Sequence, residues 1–252
     1  MSLRVDGNRM IESSVLGAMR GVLVHTMIHP LEVIRFRYQC SLSREKYGEV
    51  IRSLWSQGGI TGFYRGLSSQ YMKITLKQIW CWPMITGVPQ ILPAWVKGDL
   101  LRQGITGVAI ATMDAVVTNP LEKRKIHAAV KGNTPLSWRE LYVNGWKGVG
   151  AHFAKSSTAW VTFLVAQKVF QNRESRGSSS PLSVGQLCKV GAEAGLVVSV
   201  ICTPFDWANT LKQLQGSQVS YSWLRLCQGW PLYATSLIIQ NIASAALLYH
   251  FR

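Results

Sequence analysis

Three copies of one short pattern, a proline followed two residues later by an acid, constrain this chain more than any other feature. They are Pro30-Leu31-Glu32, Pro120-Leu121-Glu122 and Pro204-Phe205-Asp206, 90 and 84 residues apart in a chain of 252. Each copy ends an apolar run that contains glycine and other small residues, and each precedes a more polar stretch. A pattern that recurs at nearly constant spacing indicates an internal structural repeat.

A second signal follows each proline pattern. It consists of an aromatic residue, a basic residue and a glycine in Tyr64-Arg65-Gly66 and Trp146-Lys147-Gly148, with Trp230-Pro231-Leu232 as a weaker third copy. The third residues of these triplets lie 36, 28 and 28 residues after their prolines, and each triplet opens an apolar segment. We therefore divide the chain into three repeats, 1–97, 98–176 and 177–252.

The segments between these signals indicate helices that cross a membrane. The chain is 48% hydrophobic and only 15% charged, whereas soluble domains are about 25% charged. This composition fits a membrane protein with a polar interior, and it also fits a soluble helical protein with a large core. Each long segment has about 20 residues, enough to span ~30 Å of hydrocarbon. We predict an all-α membrane protein with six transmembrane helices in three pseudo-repeated pairs. Short interfacial helices are expected at 47–57, 136–143 and 220–227.

Charged side chains inside the apolar segments point to a wet interior. Lys73, Lys77 and Lys155 lie within predicted spans, and such residues normally face the inside of a helix bundle. The alternative for Lys73 and Lys77 is that their ammonium groups snorkel outward to the membrane surface. The net charge of +15 is scattered rather than gathered in a stripe, which favours anionic lipid or solute over nucleic acid as the partner.

The prolines predict where the helices converge. A proline removes a backbone hydrogen bond and kinks a membrane helix, so Pro30, Pro120 and Pro204 would draw three helix ends together. An acid and a base one turn apart follow the first two prolines, at Glu32 with Arg35 and at Glu122 with Lys125. In the third copy Asp206 is followed at this spacing by the uncharged Asn209.

Together the two signals resemble the signature of the mitochondrial carrier family, which reads P-x-[DE]-x-x-[KR]-x-[KR] and then [DE]-G-x-x-x-x-[WYF]-[KR]-G. The first two repeats match most of its positions, and the third keeps Pro204, Asp206 and Trp230. The resemblance covers nearly the whole chain and suggests a divergent member. It implies a monomeric six-helix antiporter of the mitochondrial inner membrane that works by alternating access and uses no cofactor.

The resemblance also implies a matrix-side gate of ion pairs. Glu32 would pair with Lys125, and Asp206 with Arg35, while Glu122 would face Asn209 and form a hydrogen bond at best. Glutamines that brace such bridges in the family are present as Gln39 and Gln213, whereas Ala129 occupies the middle position. The alternative is that these charges only solvate helix ends.

The solute site implied by the family lies about seven residues past the glycine of each triplet. These positions are Lys73, Lys155 and Ile239, with Ser156, Gln240, Lys77 and His25 close by. The lysines suggest a small anionic metabolite, such as a nucleotide or another phosphorylated or carboxylated solute, because unpaired cations in a membrane are costly. Cardiolipin or another anionic lipid is expected at two helix starts, formed by Tyr64, Arg65, Gly66, Trp146, Lys147 and Gly148.

A second function remains open on the sequence. Family members usually carry another charged network at the opposite ends of the second helices, and the equivalent stretches 85–89 and 167–171 lack its acids. The chain could therefore be a carrier-derived receptor, adaptor or insertase that moves no solute. An enzyme is not expected, since the sequence holds no catalytic triad, phosphate-binding loop or metal-ligand cluster. Pro83, Pro89 and Pro93 are expected to break the second helix late.

Overall fold

A computed structural model describes residues 7–41, 46–93, 95–132, 136–175, 182–215 and 227–250, and every regular element among them is helical. In chain order these are α1 (Gly7–Cys40), α2 (Tyr47–Gly58), a 3-10 helix (Gly59–Tyr64), α3 (Leu67–Ile91), α4 (Asp99–Lys131), α5 (Trp138–Asn144), α6 (Val149–Glu174), α7 (Val184–Gln215) and α8 (Trp230–His250). The prediction of an all-α protein is confirmed for the described residues.

The six long helices form a closed ring. Each of α1, α3, α4, α6, α7 and α8 packs against the next one in the chain, and α8 packs against α1. Helices α1, α4 and α7, which contain the repeated prolines and are called the proline helices below, also contact one another. The other three, α3, α6 and α8, are called the return helices. Contacts among all three proline helices mean that they meet inside the ring.

The prolines that lie inside the long helices do not end them. Each proline helix continues through its proline, and α3 continues through Pro83 and Pro89. The prediction that these two prolines break α3 is therefore wrong. A helix packed among others tolerates the lost hydrogen bond, because neighbouring groups satisfy the freed carbonyl. Helix α3 ends at Ile91, and Leu92 adopts the extended backbone that a following proline, Pro93, favours.

Each return helix begins next to a glycine in the left-handed conformation. Gly66, Gly148 and Gly229 have φ angles of 83°, 93° and 85° and immediately precede α3, α6 and α8. A side chain at any of them would press on the next proline helix around the ring. The nearest groups to a built Cβ are the Lys125 carbonyl oxygen at 2.8 Å, the Gln213 side chain at 3.2 Å and the Arg35 side chain at 3.1 Å, respectively. The same close contact thus occurs three times.

Small residues also bring each proline helix close to its return helix. Gly21 of α1 lies against Ile74, Gly107 of α4 against the Val161 backbone, and Gly195 of α7 against Leu237 and Asn241. Absent side chains at such positions allow helix backbones to approach closely.

The ring is polar inside and apolar outside. On α1 the outer stripe Val15, Met19, Leu23 and Met27 is 53%, 59%, 57% and 70% exposed. Glu32 and Arg35 of the same helix are buried. Among the described residues, α4 and α7 are the two helices long and apolar enough to cross a membrane by length and composition.

The short helices match two of the three predicted amphipathic stretches. Helices α2 and α5 cover most of 47–57 and 136–143, whereas 220–227 lies outside the described residues except for Cys227. A capping box begins α5, in which the Ser137 N–H donates to Glu140 Oε2 and the Glu140 N–H donates to Ser137 Oγ. The hydrogen bond from the Ser137 N–H lowers the pKa of Glu140.

Candidate gate and solute-binding site

Side chains from the three proline helices meet just past the prolines. Arg35 Nε of α1 lies 3.3 Å from Asp206 Oδ2 of α7, and Lys125 Nζ of α4 lies 3.8 Å from Glu32 Oε2 of α1. The structure thus brings together both pairs that the resemblance implied. All four side chains are at most 10% exposed.

Two glutamines connect these helices further. Gln39 Nε2 donates to Asp206 Oδ2 at 3.1 Å and so braces the Arg35–Asp206 bridge. Gln213 Nε2 of α7 donates to Asn119 Oδ1 of α4 at 2.7 Å. Gln213 therefore links α7 directly to α4 rather than supporting an ion pair.

The third bridge differs from the prediction. Asn209 is fully buried, and its Nδ2 has no hydrogen-bond partner among the described residues. The predicted hydrogen bond from Asn209 to Glu122 is therefore not formed. The reason is that Glu122 already has three ammonium groups around it, and charge-assisted hydrogen bonds are stronger than one from a neutral amide.

Two of those ammonium groups come from return helices. Lys73 Nζ of α3 lies 2.7 Å from Glu122 Oε2, and Lys155 Nζ of α6 lies 3.1 Å from Glu122 Oε1. Lys155 also lies 2.9 Å from Asp206 Oδ1, and Lys125 lies 3.2 Å from Glu122 Oε2. The lysines point inward, as expected, but the idea that they are unpaired cations is wrong. The residues predicted for solute binding and those predicted for the gate therefore form one connected network of ion pairs.

The chain is similar in sequence to known carrier proteins. The family model "Mitochondrial carrier protein" matches residues 6–92. A solute carrier protein of Fusarium pseudograminearum is 25% identical over 225 residues, covering 80% of this chain and 76% of its own. The mitochondrial 2-oxodicarboxylate carrier of Homo sapiens is 23% identical over 238 residues, covering 86% and 78%. A mitochondrial substrate carrier family protein of Dictyostelium discoideum is 23% identical over 224 residues, covering 80% and 72%.

The chain resembles the mitochondrial carrier family through a family model over residues 6–92 and through relatives of 25% identity or less. Members of that family are transporters, not enzymes. The relatives from Homo sapiens and Dictyostelium discoideum are named as mitochondrial carriers.

The glycine contacts change the register of the third repeat. Gly229, not Leu232, shares the left-handed conformation of Gly66 and Gly148. Seven residues past the glycine lie Lys73, Lys155 and then Ser236, which is 3% exposed. The predicted Ile239 and Gln240 lie three and four residues further along α8 and are half-buried. The sequence-based prediction placed the third contact at Ile239 instead of Ser236, because it took Trp230 as the aromatic residue of the triplet.

An acid that sequence reasoning missed lies beside the predicted site. Asp114 of α4 pairs with Lys77 Nζ and accepts a hydrogen bond from Trp160 Nε1 at 2.9 Å. A single acid inside the apolar run 105–117 was the signal that could have identified it. His25 also lies nearby, 2.9 Å from Gln70 Nε2 through its Nδ1, and Ser156 is buried on α6.

The predicted lipid-binding residues lie at the starts of α3 and α6. The Tyr64 ring stacks on His29, and the Arg65 guanidinium donates to Gln57 Oε1 at 3.3 Å. A pocket at the start of α3 is lined by Arg65, Gly66, Ser68, Ser69 and Arg124 among others. Trp146, at the start of α6, is 49% exposed beside Lys147 and Gly148.

Ion pairs also occur at the opposite end of the helix ring. Lys168 of α6 lies 3.3 Å from Asp99 of α4, and Arg173 of α6 pairs with Glu193 of α7. The acids of these pairs, Asp99 and Glu193, lie on proline helices. The charged motif of the family is expected on return helices, so it does not identify these pairs. Exposed pairs of this kind are screened by water and contribute little to stability.

Proposed function

We propose that this carrier transports a small anionic metabolite across the mitochondrial inner membrane by alternating access, as a monomer and in exchange for a second solute. One observation carries the proposal. Lys73 and Lys155 come from two different return helices and meet one carboxylate, Glu122, inside the ring. Basic groups held inside a helix ring by exchangeable carboxylates can also receive the carboxylate or phosphate of a solute.

The distribution of side chains supports a membrane-spanning ring of six helices. The exposed stripe of α1 is apolar along its length, while buried positions hold Glu32, Arg35 and Glu122. Large apolar surfaces on a protein normally mark a contact with other molecules or with lipid. Charged residues in a membrane face the interior of a bundle. The ring has both features.

The glycine contacts support three structural repeats, 1–97, 98–176 and 177–252. Gly66, Gly148 and Gly229 each directly precede a return helix, and a Cβ at any of them would lie against the following proline helix. A threefold arrangement would place Pro30, Pro120 and Pro204 at equivalent levels, with the gate residues one turn beyond them.

The pairing of the lysines favours a solute with two acidic groups. Lys73 and Lys155 bind different oxygens of Glu122, and Lys155 also binds Asp206. A dicarboxylate could replace these oxygens with two carboxylates of its own. The relative from Homo sapiens is named a 2-oxodicarboxylate carrier. Ser236 is then the third contact, with Lys77, Ser156 and His25 adjoining.

The start of α3 favours an anionic lipid as a second partner. Arg65 and Arg124 line the pocket there, beside the first backbone N–H groups of the helix. Helix starts attract phosphate through these N–H groups and the helix dipole. Cardiolipin fits this chemistry, and the start of α6 at Trp146, Lys147 and Gly148 provides a second site.

Uptake into liposomes tests the proposal. The purified protein is placed in cardiolipin-containing vesicles loaded with a 2-oxodicarboxylate, and uptake of a labelled 2-oxodicarboxylate, nucleotide or monocarboxylate is measured. We expect dicarboxylate uptake that falls by about tenfold or more in Lys73→Gln, because a buried charge partner of the solute is lost. Lys97→Gln, a change at an exposed lysine, is the control. Absence of all uptake in vesicles with correctly inserted protein would contradict transport and favour the receptor or insertase function.

A further inference from the structure

The gate contains three acids but only two cations on the proline helices. Glu32, Glu122 and Asp206 follow the three prolines, whereas Arg35 and Lys125 have no third counterpart, because Asn209 stands there. The acids are nevertheless buried, with Glu122 and Asp206 fully so. Burying a carboxylate without a cation would be strongly unfavourable. Another residue must therefore compensate for the missing charge.

We infer that Lys155 of α6 supplies this third cation and holds α4 to α7 in the closed gate. Its Nζ lies 3.1 Å from Glu122 Oε1 of α4 and 2.9 Å from Asp206 Oδ1 of α7. A cation at position 209 would have linked the same two proline helices. Lys155 is therefore a positioning residue of the gate, supplied by a return helix.

The neighbouring lysine does not have this geometry. Lys73 is ion-paired to Glu122 only, so among the described contacts it joins α3 to α4 and leaves α7 untouched. Lys155 contacts one carboxylate on α4 and one on α7. The contact between these two proline helices is called the α4–α7 seam below. This difference makes Lys73 the natural comparison for any test of Lys155.

Asn209, which stands where the third cation is missing, does not itself link α7 to Glu122. Its side chain is fully buried, and its Nδ2 has no hydrogen-bond partner among the residues that the structure describes. Its Oδ1 is 3.4 Å from Gln213 Nε2. Lys155 and the hydrogen bond from Gln213 to Asn119 thus both link α4 to α7.

A regulatory consequence follows, and it rests on the proposed transport function. A solute anion that binds Lys155 draws its ammonium away from Glu122 and Asp206. Glu122 keeps Lys73 and Lys125, and Asp206 keeps Arg35, so neither acid is left alone. The α4–α7 seam alone is weakened. Solute binding therefore starts gate opening at this seam.

A set of four proteins tests the inference: wild type, Lys155→Gln, Asn209→Lys and the double variant. Thermal unfolding in detergent is followed for each, and Lys73→Gln is the comparison. We expect Lys155→Gln to lower the unfolding temperature by roughly 5–10 °C, since one partner of a buried pair is lost. Lys73→Gln should lower it much less. Asn209→Lys should recover more than half of the loss in the double variant, while solute uptake stays low.

Two results would overturn the inference. One is a double variant that is no more stable than Lys155→Gln. The other is Asn209→Lys alone raising the unfolding temperature of the wild type as much as it raises that of Lys155→Gln, since the seam would then have lacked a cation all along. If Lys155→Gln folds too poorly to be measured, a marked rise in the unfolding temperature of the wild type on Asn209→Lys overturns the inference by itself. Failure of wild-type uptake would contradict the transport proposal but leave the unfolding comparison intact.

Discussion

Lys73 Nζ lies 2.7 Å from Glu122 Oε2, although the two residues are 49 positions apart in the chain. The pair joins the return helix of the first repeat to the proline helix of the second. Because Glu122 also contacts Lys125 and Lys155, it remains paired when a solute takes Lys73. Lys73 is thus the cation that can be released to a solute at the smallest cost to the gate.

Replacing Lys73 should separate solute binding from stability. In Lys73→Gln we expect the solute concentration for half-maximal uptake to rise by about tenfold or more, because a charged contact with the solute is lost. The unfolding temperature should change little. A variant that loses stability and uptake in parallel would show that Lys73 is a structural residue instead.

Removing the charge of Asp206 should destabilise the protein. Asp206 is fully buried and contacts Arg35, Lys155 and Gln39. We expect Asp206→Asn to lower the free energy of unfolding by about 3–5 kcal/mol, since two buried cations lose a partner. Denaturant unfolding in mild detergent measures this. The matched control is Asp99→Asn, which removes the exposed pair with Lys168 and should change the free energy by only about 0–1 kcal/mol.

The left-handed glycine before α3 should not tolerate a side chain. Gly66 has a φ of 83°, and an added Cβ would lie 2.8 Å from the Lys125 carbonyl oxygen. We expect Gly66→Ala to cost about 1–3 kcal/mol from the strained backbone, with the steric clash in addition. Gly150→Ala, inside α6 with nothing within 4 Å of its Cβ, should be neutral or stabilising. Equal unfolding temperatures for the two variants would contradict the close contact between Gly66 and α4.

The capping box of α5 should respond to pH. The hydrogen bonds from Ser137 lower the pKa of Glu140 in the folded state. A lowered carboxyl pKa adds stability above the ordinary value of about 4.3, and this is lost as the pH falls through the lowered value. The difference in unfolding temperature between wild type and Glu140→Ala should therefore be largest near neutral pH and shrink in acid. A difference that stays constant across this range would mean that the carboxylate does not cap α5.

The sequence predicted elements whose signals are local. The expectation that Tyr64-Arg65-Gly66 opens a helical segment agrees with α3, which begins at Leu67 directly after Gly66. The pairs Arg35–Asp206 and Lys125–Glu32 were predicted only through the family resemblance, since residues so far apart carry no local signal of contact.

The parts that could not be predicted depend on three-dimensional packing. Nothing in the sequence indicates that Lys155 contacts Asp206, because this depends on how α6 and α7 are placed around the ring. The third repeat was misaligned because its triplet has lost the basic residue, and only the backbone angle of Gly229 reveals the register.

Labelling of single cysteines tests most directly the central claim that the basic residues face a wet interior while the apolar stripe faces lipid. The five native cysteines are replaced by serine, and one cysteine is placed at position 73, 155 or 27 in liposomes. We expect a water-soluble, membrane-impermeant thiol reagent to label Lys73→Cys and Lys155→Cys, with protection by the transported solute. Met27→Cys should stay unlabelled. Labelling of Met27→Cys together with unreactive Lys73→Cys and Lys155→Cys would contradict the hypothesis that this chain is a transporter.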